Sequence, residues 1–576
     1  RENECKVCFN NKSDEWKNAQ VIKGIWNLYK SPIPVLTEKY VEPDEYIVFD
    51  EYKSRVKIEN GKIHIKSGCP LTFFAKFPMI YAAYTSISFK GGSAVLKLGL
   101  QEITGKTERV EEVRSAGDFS YRGFRLQSIG CIEVNITFCD ESDCTIENLG
   151  IISTHYPVFQ EGYFISSDKE LNRIYNLGKH TAKICRQSLH LDSPMHQELL
   201  ACTGDYFIES LIAYLCFGDT KLTRFDIVRT CDLLRLTKGE MFHTSYSLIL
   251  LQMIDDYVAF SGDGSIITET IDALKILLDR FETYTESDGI IHHAPNYMFV
   301  DWVEVDGFSL HHPPKALGQT VLNAFYYKAL RLMTDFCRAA GDNSEGKFSE
   351  RAGRLKASFS KTFFDSHKGL YLDGLNTPEE EGASRPANTS KRYFSQQANT
   401  LAVLYDLCDS AQGVEIMEKV ISDNTLIQAQ PYFMHYVLEA VYKTGLFEKY
   451  GLEQIRRWTR LVNECDKGLK EIWTGFDCDY SHAWGATPTY QLPSKLLGLK
   501  IIEKGFKKIT LSPNLYGLDY AEIKVPTPFG YIKANLDKSG KNEFEIPEQI
   551  EYIILPTDLK DSYVRVNQYN NYVEAE

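Results

Sequence analysis

Several features that mark large classes of protein are missing from this sequence. It has no long run of lysine and arginine and carries a formal net charge of −14, which argues against a nucleic-acid-binding surface. No apolar stretch reaches the roughly 18 residues of a membrane span, so we expect no membrane contact. Neither a dinucleotide fingerprint nor a P-loop stands out, and we therefore expect no organic cofactor.

Cysteine is plentiful, with 14 residues, but its spacing points to no metal site. Cys5 and Cys8 form one CxxC pair without a second pair at zinc spacing, so we expect no bound metal. Cys131, Cys139 and Cys144 could form a bridge in an oxidising compartment, whereas cysteines in helical segments resemble small buried hydrophobic residues. This usage favours a reducing cytosol. The chain begins RENECKVCF, without an initiator Met or a signal peptide, so a secreted or periplasmic location stays open.

The sequence pattern changes twice along the 576 residues, which predicts a multidomain protein. Residues 1–160 contain short alternating strands such as KIHIKS and SISFKGG, and we expect an N-terminal antiparallel β-sandwich with a leading segment. Residues 161–498 carry amphipathic helices joined by long loops, which predicts a central (α/α)6 barrel of six hairpins. Ser167 and Glu170 predict a capping box at its first helix. Strand patterns return in residues 499–576, where we expect a C-terminal antiparallel β-sandwich.

The segment LDSPMHQELLACTGD, Leu191–Asp205, concentrates three carboxylates, those of Asp192, Glu198 and Asp205. One interpretation is structural: Asp192 lies in a turn, Glu198 is solvated, and Asp205 stabilises the first turn of the next helix. The other interpretation is catalytic. Cleavage of a glycosidic bond requires a carboxylic acid that protonates the leaving oxygen and a second carboxylate that attacks or activates water.

Three stretches together resemble a known family. They are DSPMHQELLACTGD, YMFVDWVEVDG (Tyr297–Gly307) and YSHAWGATPTYQLPSKLLG (Tyr480–Gly498). The first is similar to the active-site segment of α-L-rhamnosidases of glycoside hydrolase family 78, typically Asp-Cys-Pro-x-Arg-x-Glu followed by Trp-Thr-Gly-Asp. The resemblance extends in order over nearly the whole chain and favours the catalytic interpretation.

By position, the resemblance implies that Glu198 is the general acid and that Asp192 and Asp205 bind sugar hydroxyls. It also implies that Asp301 and Trp302 line the pocket, with Trp302 against an apolar sugar face. The other implied contacts with the sugar are His196, His482 and Trp484, although Trp484 could equally belong to the core. The family inverts the anomeric centre, so a second carboxylate should lie about 6.5–9.5 Å from the acid.

The sequence departs from the family pattern at three positions. His196 stands where the family has Arg, and Cys202 where it has Trp. The family's catalytic base is the Glu of a Trp-Glu pair, but here Thr474 follows Trp473, and a threonine cannot act as a carboxylate base.

Three explanations of the missing base stay open. A nearby acid replaces it, and Glu471 and Asp477 are the best placed by sequence. Alternatively, phosphate is the nucleophile in an inverting phosphorolysis, or the protein binds a sugar without cleaving it. We expect an exo-acting, inverting glycosidase that removes terminal α-L-rhamnose or a similar sugar, with no cofactor and with carbohydrate as its partner; the sequence gives no oligomeric state.

Overall fold

The computed structural model describes most of the chain, and the N-terminal part of it is a large β-sheet. The described residues are 5–8, 30–198, 201–292, 298–305, 308–309, 318–375, 392–474, 479–555 and 565–566. Eleven strands in this part of the described chain share one hydrogen-bonded sheet. They are β1 (Cys5–Cys8), β2 (Thr37–Val41), β3 (Glu45–Val48), β4 (Val56–Glu59), β5 (Lys62–Ile65), β6 (Leu71–Gly91), β7 (Ser93–Gln101), β8 (Arg109–Ala116), β9 (Phe119–Arg122), β10 (Gln127–Phe138) and β11 (Cys144–His155).

Strand β6 is the longest strand in the described chain, and its sequence alternates apolar and partly exposed residues. This period of two buries one face of the strand, including Phe73 and Phe77, as expected for a half-buried strand. The first half of β6 pairs with β3 and β10, and its second half pairs with β9 and β11. The sheet-rich region predicted for the N-terminal part is therefore confirmed.

The middle of the chain is helical, again as predicted. It begins with a strand, β12 (Tyr163–Ser166), and contains two short hairpins, β13 (Glu304–Val305) with β14 (Phe308–Ser309) and β15 (Phe364–Asp365) with β16 (Leu370–Tyr371). Its helices are α1 (Lys169–Cys185), α2 (Thr203–Phe217), α3 (Lys221–Thr237), α4 (Thr244–Ser261), α5 (Ser265–Glu282), α6 (Gln319–Ala340), α7 (Glu345–Phe363), α8 (Gln396–Leu404), α9 (Ser410–Ser422), α10 (Met434–Lys443), α11 (Phe447–Arg456), α12 (Thr459–Glu464) and α13 (Pro488–Leu497). None of these described helices is long and apolar enough to cross a membrane.

The helices differ in how much of their surface is buried. Every residue of α2 is buried, and α4 and α8 are nearly as enclosed, whereas α3, α5 and α7 bury a single stripe. A helix that is apolar all round belongs inside a fold, and an amphipathic one belongs at its surface. The enclosed helices pack in the succession α2, α4, α6, α8, α10 and α13, and α13 packs again on α2.

The cap of α1 differs from the predicted capping box. Asp168, not Ser167, is the N-cap residue, and its side chain accepts hydrogen bonds from the backbone N–H groups of Glu170 and Leu171. A carboxylate is favoured at a helix N-terminus by the helix dipole. The Ser167 hydroxyl instead accepts a hydrogen bond from the backbone N–H of Asp519, 2.9 Å away, and so ties the helix start to the C-terminal part of the chain.

The C-terminal part forms two further sheets. Its strands are β17 (Lys500–Glu503), β18 (Lys508–Leu511), β19 (Tyr520–Thr527), β20 (Gly530–Asp537), β21 (Glu543–Glu545), β22 (Glu551–Ile554) and β23 (Arg565–Val566). Strand β12 joins this part in space, because it pairs with β19 in a five-stranded sheet of the described chain. Cys131, Cys139 and Cys144 are free thiols and form no bridge.

A small apolar cluster joins the N-terminal sheet to the helical region. Its buried residues come from β6, from the end of α1 and from the late loop before α13: Ile80, Ala82, Ile184, Cys185, Cys465 and Ala483. The backbone N–H of Ile80 also donates to the carbonyl of Lys467, 3.1 Å away, and His180 Nε2 lies 2.7 Å from the Ile80 carbonyl oxygen. The N-terminal sheet thus contacts the end of α1, from which the acidic segment continues, and the late loop that carries His482.

Gly178 tests the contact between α1 and α13. A Cβ at this position would lie 2.2 Å from Thr489 Oγ1 and 3.2 Å from Ala486 Cβ, so Gly178→Ala should lower the free energy of unfolding despite the higher helix propensity of alanine. Gly353 in α7 is the matched control, because a Cβ there meets nothing within 4 Å. Gly353→Ala should therefore raise stability by about 0.5–1 kcal/mol. Urea unfolding measures both changes, and a stabilised Gly178→Ala would contradict this packing.

Candidate active site

The loop between α1 and α2 carries the acidic segment and is folded back on itself. Asp192 is buried, and its Oδ1 accepts a hydrogen bond from the backbone N–H of Glu198 at 2.8 Å. Gln197 Nε2 donates to the carbonyls of Leu126 and Pro194, both at 2.7 Å. Gln197 has a φ of 58°, a left-handed conformation that non-glycine residues adopt at a cost and that is often held at functional sites.

Glu198 is exposed, in contrast to the other two acids of the segment. Its Oε2 accepts a hydrogen bond from the Cys202 thiol, with the sulfur 2.8 Å away. The Tyr206 hydroxyl reaches its backbone carbonyl at 3.4 Å. The carboxylate is therefore open to solvent while its backbone and one oxygen are held in place.

Asp205 and His482 form a buried pair. Asp205 lies in the first turn of α2, and its Oδ1 is 3.0 Å from His482 Nε2. Burial raises the pKa of Asp205 to about 7, against the opposing hydrogen bond from His482. Sequence reasoning proposed both residues as sugar contacts, and the structure brings them together.

Further carboxylates lie on the opposite side of the His482 ring. Its Nδ1 is 3.2 Å from Asp479 Oδ1 and 3.9 Å from Glu471 Oε1. Burial alone would lower the pKa of His482. The negative charges of Asp479 and Glu471 outweigh burial and hold the pKa of His482 well above its usual value. The imidazolium can then donate at both ring nitrogens, which orients the ring between α2 and the late loop.

His196 joins the same cluster from the solvent side. Its side chain is 46% exposed, and its Nδ1 lies 3.5 Å from both Asp192 Oδ2 and Asp479 Oδ2. The interaction with Asp192 raises the pKa of His196 to about 9. A positive charge therefore occupies this position of the motif.

Glu471 is buried next to this cluster, and its backbone N–H donates to the Asp479 carbonyl at 3.3 Å. Burial raises the pKa of Glu471 to about 7, although the charge of His482 opposes the shift. Thr474 is exposed three residues further on. Asp477, the other acid proposed as a base, lies outside the described residues.

Asp301 is completely buried and holds the backbone around it. Its Oδ1 accepts from the backbone N–H of Trp302 at 3.0 Å, and its Oδ2 accepts from Gln397 Nε2 at 2.7 Å and from the backbone N–H of Gln430 at 3.0 Å. Burial raises its pKa to about 7. The carboxylate offers no exposed oxygen, so its geometry is that of an anchor for the loop carrying Trp302.

The two predicted pocket tryptophans differ in their surroundings. Trp302 is half-buried and meets the Phe299 ring edge-on, with centroids 5.8 Å apart. Trp484 is buried: its Nε1 donates to the Glu471 carbonyl at 3.1 Å, and its ring centroid lies 4.4 Å from that of His482. The Trp484 ring therefore packs against His482. The Trp302 side chain is partly exposed, so a ligand could contact it.

Glu102, which sequence reasoning missed, ties this site to the N-terminal sheet. It follows β7 and is buried, and its Oε2 accepts from the backbone N–H of Tyr480 at 2.6 Å. Its Oε1 accepts from the Ser128 hydroxyl at 2.6 Å and from the Ser481 hydroxyl. Burial raises the pKa of Glu102 to about 7, and Asp479 adds to the shift. In sequence, Glu102 is indistinguishable from an ordinary turn residue.

Residues 159–494, more than half of the chain, match the family model of the bacterial α-L-rhamnosidase six-hairpin glycosidase domain. The chain belongs to this family. A search of curated protein sequences gave no match.

Solved structures of α-L-rhamnosidases resemble this chain over most of its length. The family 78 rhamnosidase of Bacillus sp. GL1 is 20% identical and superposes with a TM-score of 0.78 over 90% of this chain and 56% of its own. A rhamnosidase from Klebsiella oxytoca, solved with rhamnose bound, is 15% identical, with a TM-score of 0.66 over 80% of this chain and 96% of its own. This chain thus spans little more than half the length of the Bacillus enzyme. At these identities the similarity establishes the fold alone.

The three departures from the α-L-rhamnosidase motifs have visible structural effects. His196 keeps a positive charge at the Arg position but binds it to Asp192 and Asp479. Cys202, at the Trp position, places a small thiol against Glu198. Thr474 leaves the position of the family base without a carboxylate, and Glu471 is the described acid nearest to it in sequence.

The role of Glu102 as an anchor can be tested with two substitutions. Glu102→Ala removes the carboxylate that accepts from the Tyr480 N–H and from the hydroxyls of Ser128 and Ser481, which should cost about 1–3 kcal/mol of folding stability. Glu102→Gln keeps one oxygen for the Tyr480 N–H and offers an amide to the two serine hydroxyls. Its loss of folding stability should therefore be much smaller. Thermal unfolding compares both with Glu59→Gln, an exposed control on β4. Equal stability of Glu102→Ala and the control would contradict this role.

Proposed function

We propose that this protein is a glycoside hydrolase that removes terminal α-L-rhamnose or a similar sugar, exo-acting and with inversion at the anomeric carbon. The observation that carries the proposal is the clustering of Asp192, Glu198 and Asp205 with His482 around one exposed carboxylate. Membership of the α-L-rhamnosidase family supports the same substrate class.

In this proposal Glu198 is the general acid. It is the exposed carboxylate of the segment, and the Cys202 thiol holds one of its oxygens. Asp192 and Asp205 are the acceptors for sugar hydroxyls, since carboxylates form strong charge-assisted hydrogen bonds. His482 orients Asp205 through the 3.0 Å contact.

Glu471 is our choice for the base that activates water. It shares the neighbourhood of His482 with Asp205, and a base with a pKa near 7 is matched to proton transfer at neutral pH. Asp477 stays a prediction as the alternative base.

We further propose the finer architecture expected from the sequence. The succession of enclosed helices that returns from α13 to α2 supports an (α/α)6 barrel spanning residues 161–498. The pairing of the two halves of β6 with different strands supports a β-sandwich in residues 1–160. For residues 499–576 the proposal is a C-terminal β-domain, a second sandwich, and the pairing of β12 with β19 supports a strand contributed from residues 161–498.

The first experiment is release of aryl alcohol from aryl α-L-rhamnosides by the wild type and Glu198→Gln, with and without phosphate. Loss of a general acid should lower kcat about 10²–10⁴-fold for a phenyl leaving group. The loss should shrink for 4-nitrophenyl, which needs less help from an acid. Glu59→Gln serves as the exposed control and should keep wild-type rates.

Three other outcomes would contradict this proposal and indicate a different function or a different acid. Release that requires phosphate would indicate phosphorolysis. Binding of rhamnose without release from any glycoside in a panel would indicate a sugar-binding protein. Equal losses for both leaving groups would remove Glu198 from the role of acid.

The base is tested with Glu471→Ala. Its kcat should fall at least about 10²-fold, and added azide should restore turnover by attacking the anomeric carbon from the vacated side. NMR of the azide product should show the β configuration, as expected for inversion. Glu464→Ala is the matched control, since Glu464 is a partly exposed acid of the same region that pairs with Lys470. Full activity of Glu471→Ala would transfer the role of base to Asp477.

A further inference from the structure

Four possible metal ligands lie close together in the candidate site. Asp192 and His196 come from the loop after α1, and Asp479 and His482 come from the loop before α13. One donor atom from each lies within 4.8 Å of the other three. We propose that these four side chains bind a first-row divalent transition-metal ion such as Zn²⁺.

The spacing of the donors fits a tetrahedral site. Zinc bonds to imidazole nitrogen and carboxylate oxygen of about 2.0–2.1 Å place neighbouring donors about 3.3 Å apart. His196 Nδ1 is 3.5 Å from an oxygen of Asp192 and from one of Asp479, and His482 Nδ1 is 3.2 Å from the other oxygen of Asp479. The donors lie within 4.8 Å of one another, so an ion would draw them together and would displace the ring protons of His196 and His482.

A polar atom of the cluster is left without a hydrogen bond. Asp479 is 1% exposed, and its Oδ2 makes no hydrogen bond of good geometry among the described residues; its charged neighbour is His196 Nδ1, 3.5 Å away. A buried carboxylate oxygen normally has a partner, and an orphan one indicates a missing water or ion. This oxygen lies on the His196 side of the cluster, where the ion would be.

The surroundings also orient the ligands as metal sites require. His482 contacts Asp205 through Nε2, which leaves Nδ1 directed at the cluster and forms the carboxylate–histidine–metal arrangement common in metalloproteins. Asp192 is fixed through the N–H of Glu198 on Oδ1, which leaves Oδ2 free to coordinate.

The local charge favours a cation. Within the described chain, the ion pairs of Asp192, Asp205, Glu471 and Asp479 are all with histidine and none with lysine or arginine. The partial exposure of His196 gives an ion a route from solvent. Two imidazoles and two carboxylates suit zinc and its neighbours, whereas Ca²⁺ and Mg²⁺ prefer sites built from oxygen alone.

The inference goes beyond the proposed function and differs from the expectation of no metal drawn from the sequence. One of the proposed ligands, Asp192, is also one of the two carboxylates proposed to bind the sugar, so an ion would share that side chain with the substrate. Metal binding is measured without any sugar, so a failure of either proposal is distinguishable from a failure of the other.

The test is calorimetric titration of the metal-stripped full chain with Zn²⁺. One equivalent should bind to the wild type. Kd should rise at least about tenfold in His196→Ala and in Asp479→Asn. His64→Ala, which removes an exposed histidine on β5, is the matched control and should bind as the wild type does. Ca²⁺ and Mg²⁺ should not compete, and thermal unfolding should establish that each variant is folded.

A second group, Glu198, Cys202 and His243, also brings three donors within 4.8 Å, and Cys202→Ser separates it from the proposed site. Cobalt provides the independent readout, because a thiolate ligand gives a charge-transfer band and the proposed ligands do not. No Zn²⁺ binding, binding unchanged in folded His196→Ala and Asp479→Asn, or binding lost in Cys202→Ser would each overturn the proposal.

Discussion

The His482 ring, enclosed by carboxylates, is the interaction on which the candidate site depends. Its Nε2 contacts Asp205 at the start of α2, and its Nδ1 faces Asp479 and Glu471 of the late loop. Removing one partner of a buried ion pair costs several kcal/mol, because the remaining charge stays desolvated. Neither the start of α2 nor the late loop can move independently of the other, which keeps the acidic segment in place.

The N-terminal sheet belongs to the site as much as the helices do. Glu102 holds the backbone of Tyr480, two residues before His482, and the Leu126 carbonyl holds Gln197 directly before Glu198. Both contacts originate in loops between strands of the sheet. The candidate site therefore lies where the N-terminal sheet meets the helical region, and the helical region alone does not contain all the groups that fix its loops.

The three departures from the family motifs act on neighbouring atoms. His196 shortens the cationic side chain and draws it onto Asp192 and Asp479, and Cys202 exchanges a large indole for a thiol against Glu198. Together with Thr474 they exchange an Arg, a Trp and a Glu for smaller side chains. The candidate site has the acids that resemble those of the α-L-rhamnosidase motif, with His196 and Cys202 as their partners.

The sequence by itself determined the order of sheet, helix and sheet, since the periods of two and near four that define strands and helices are local properties. It also determined the acidic segment, whose residues are close in the chain. Only the tertiary structure decided which acids are exposed and which are buried: Glu198 is open, whereas Asp205, Asp301 and Glu471 are enclosed. It also brought Glu102 to Tyr480 and Asp205 to His482. Burial and long-range pairing depend on contacts between segments far apart in sequence, and no local pattern encodes them.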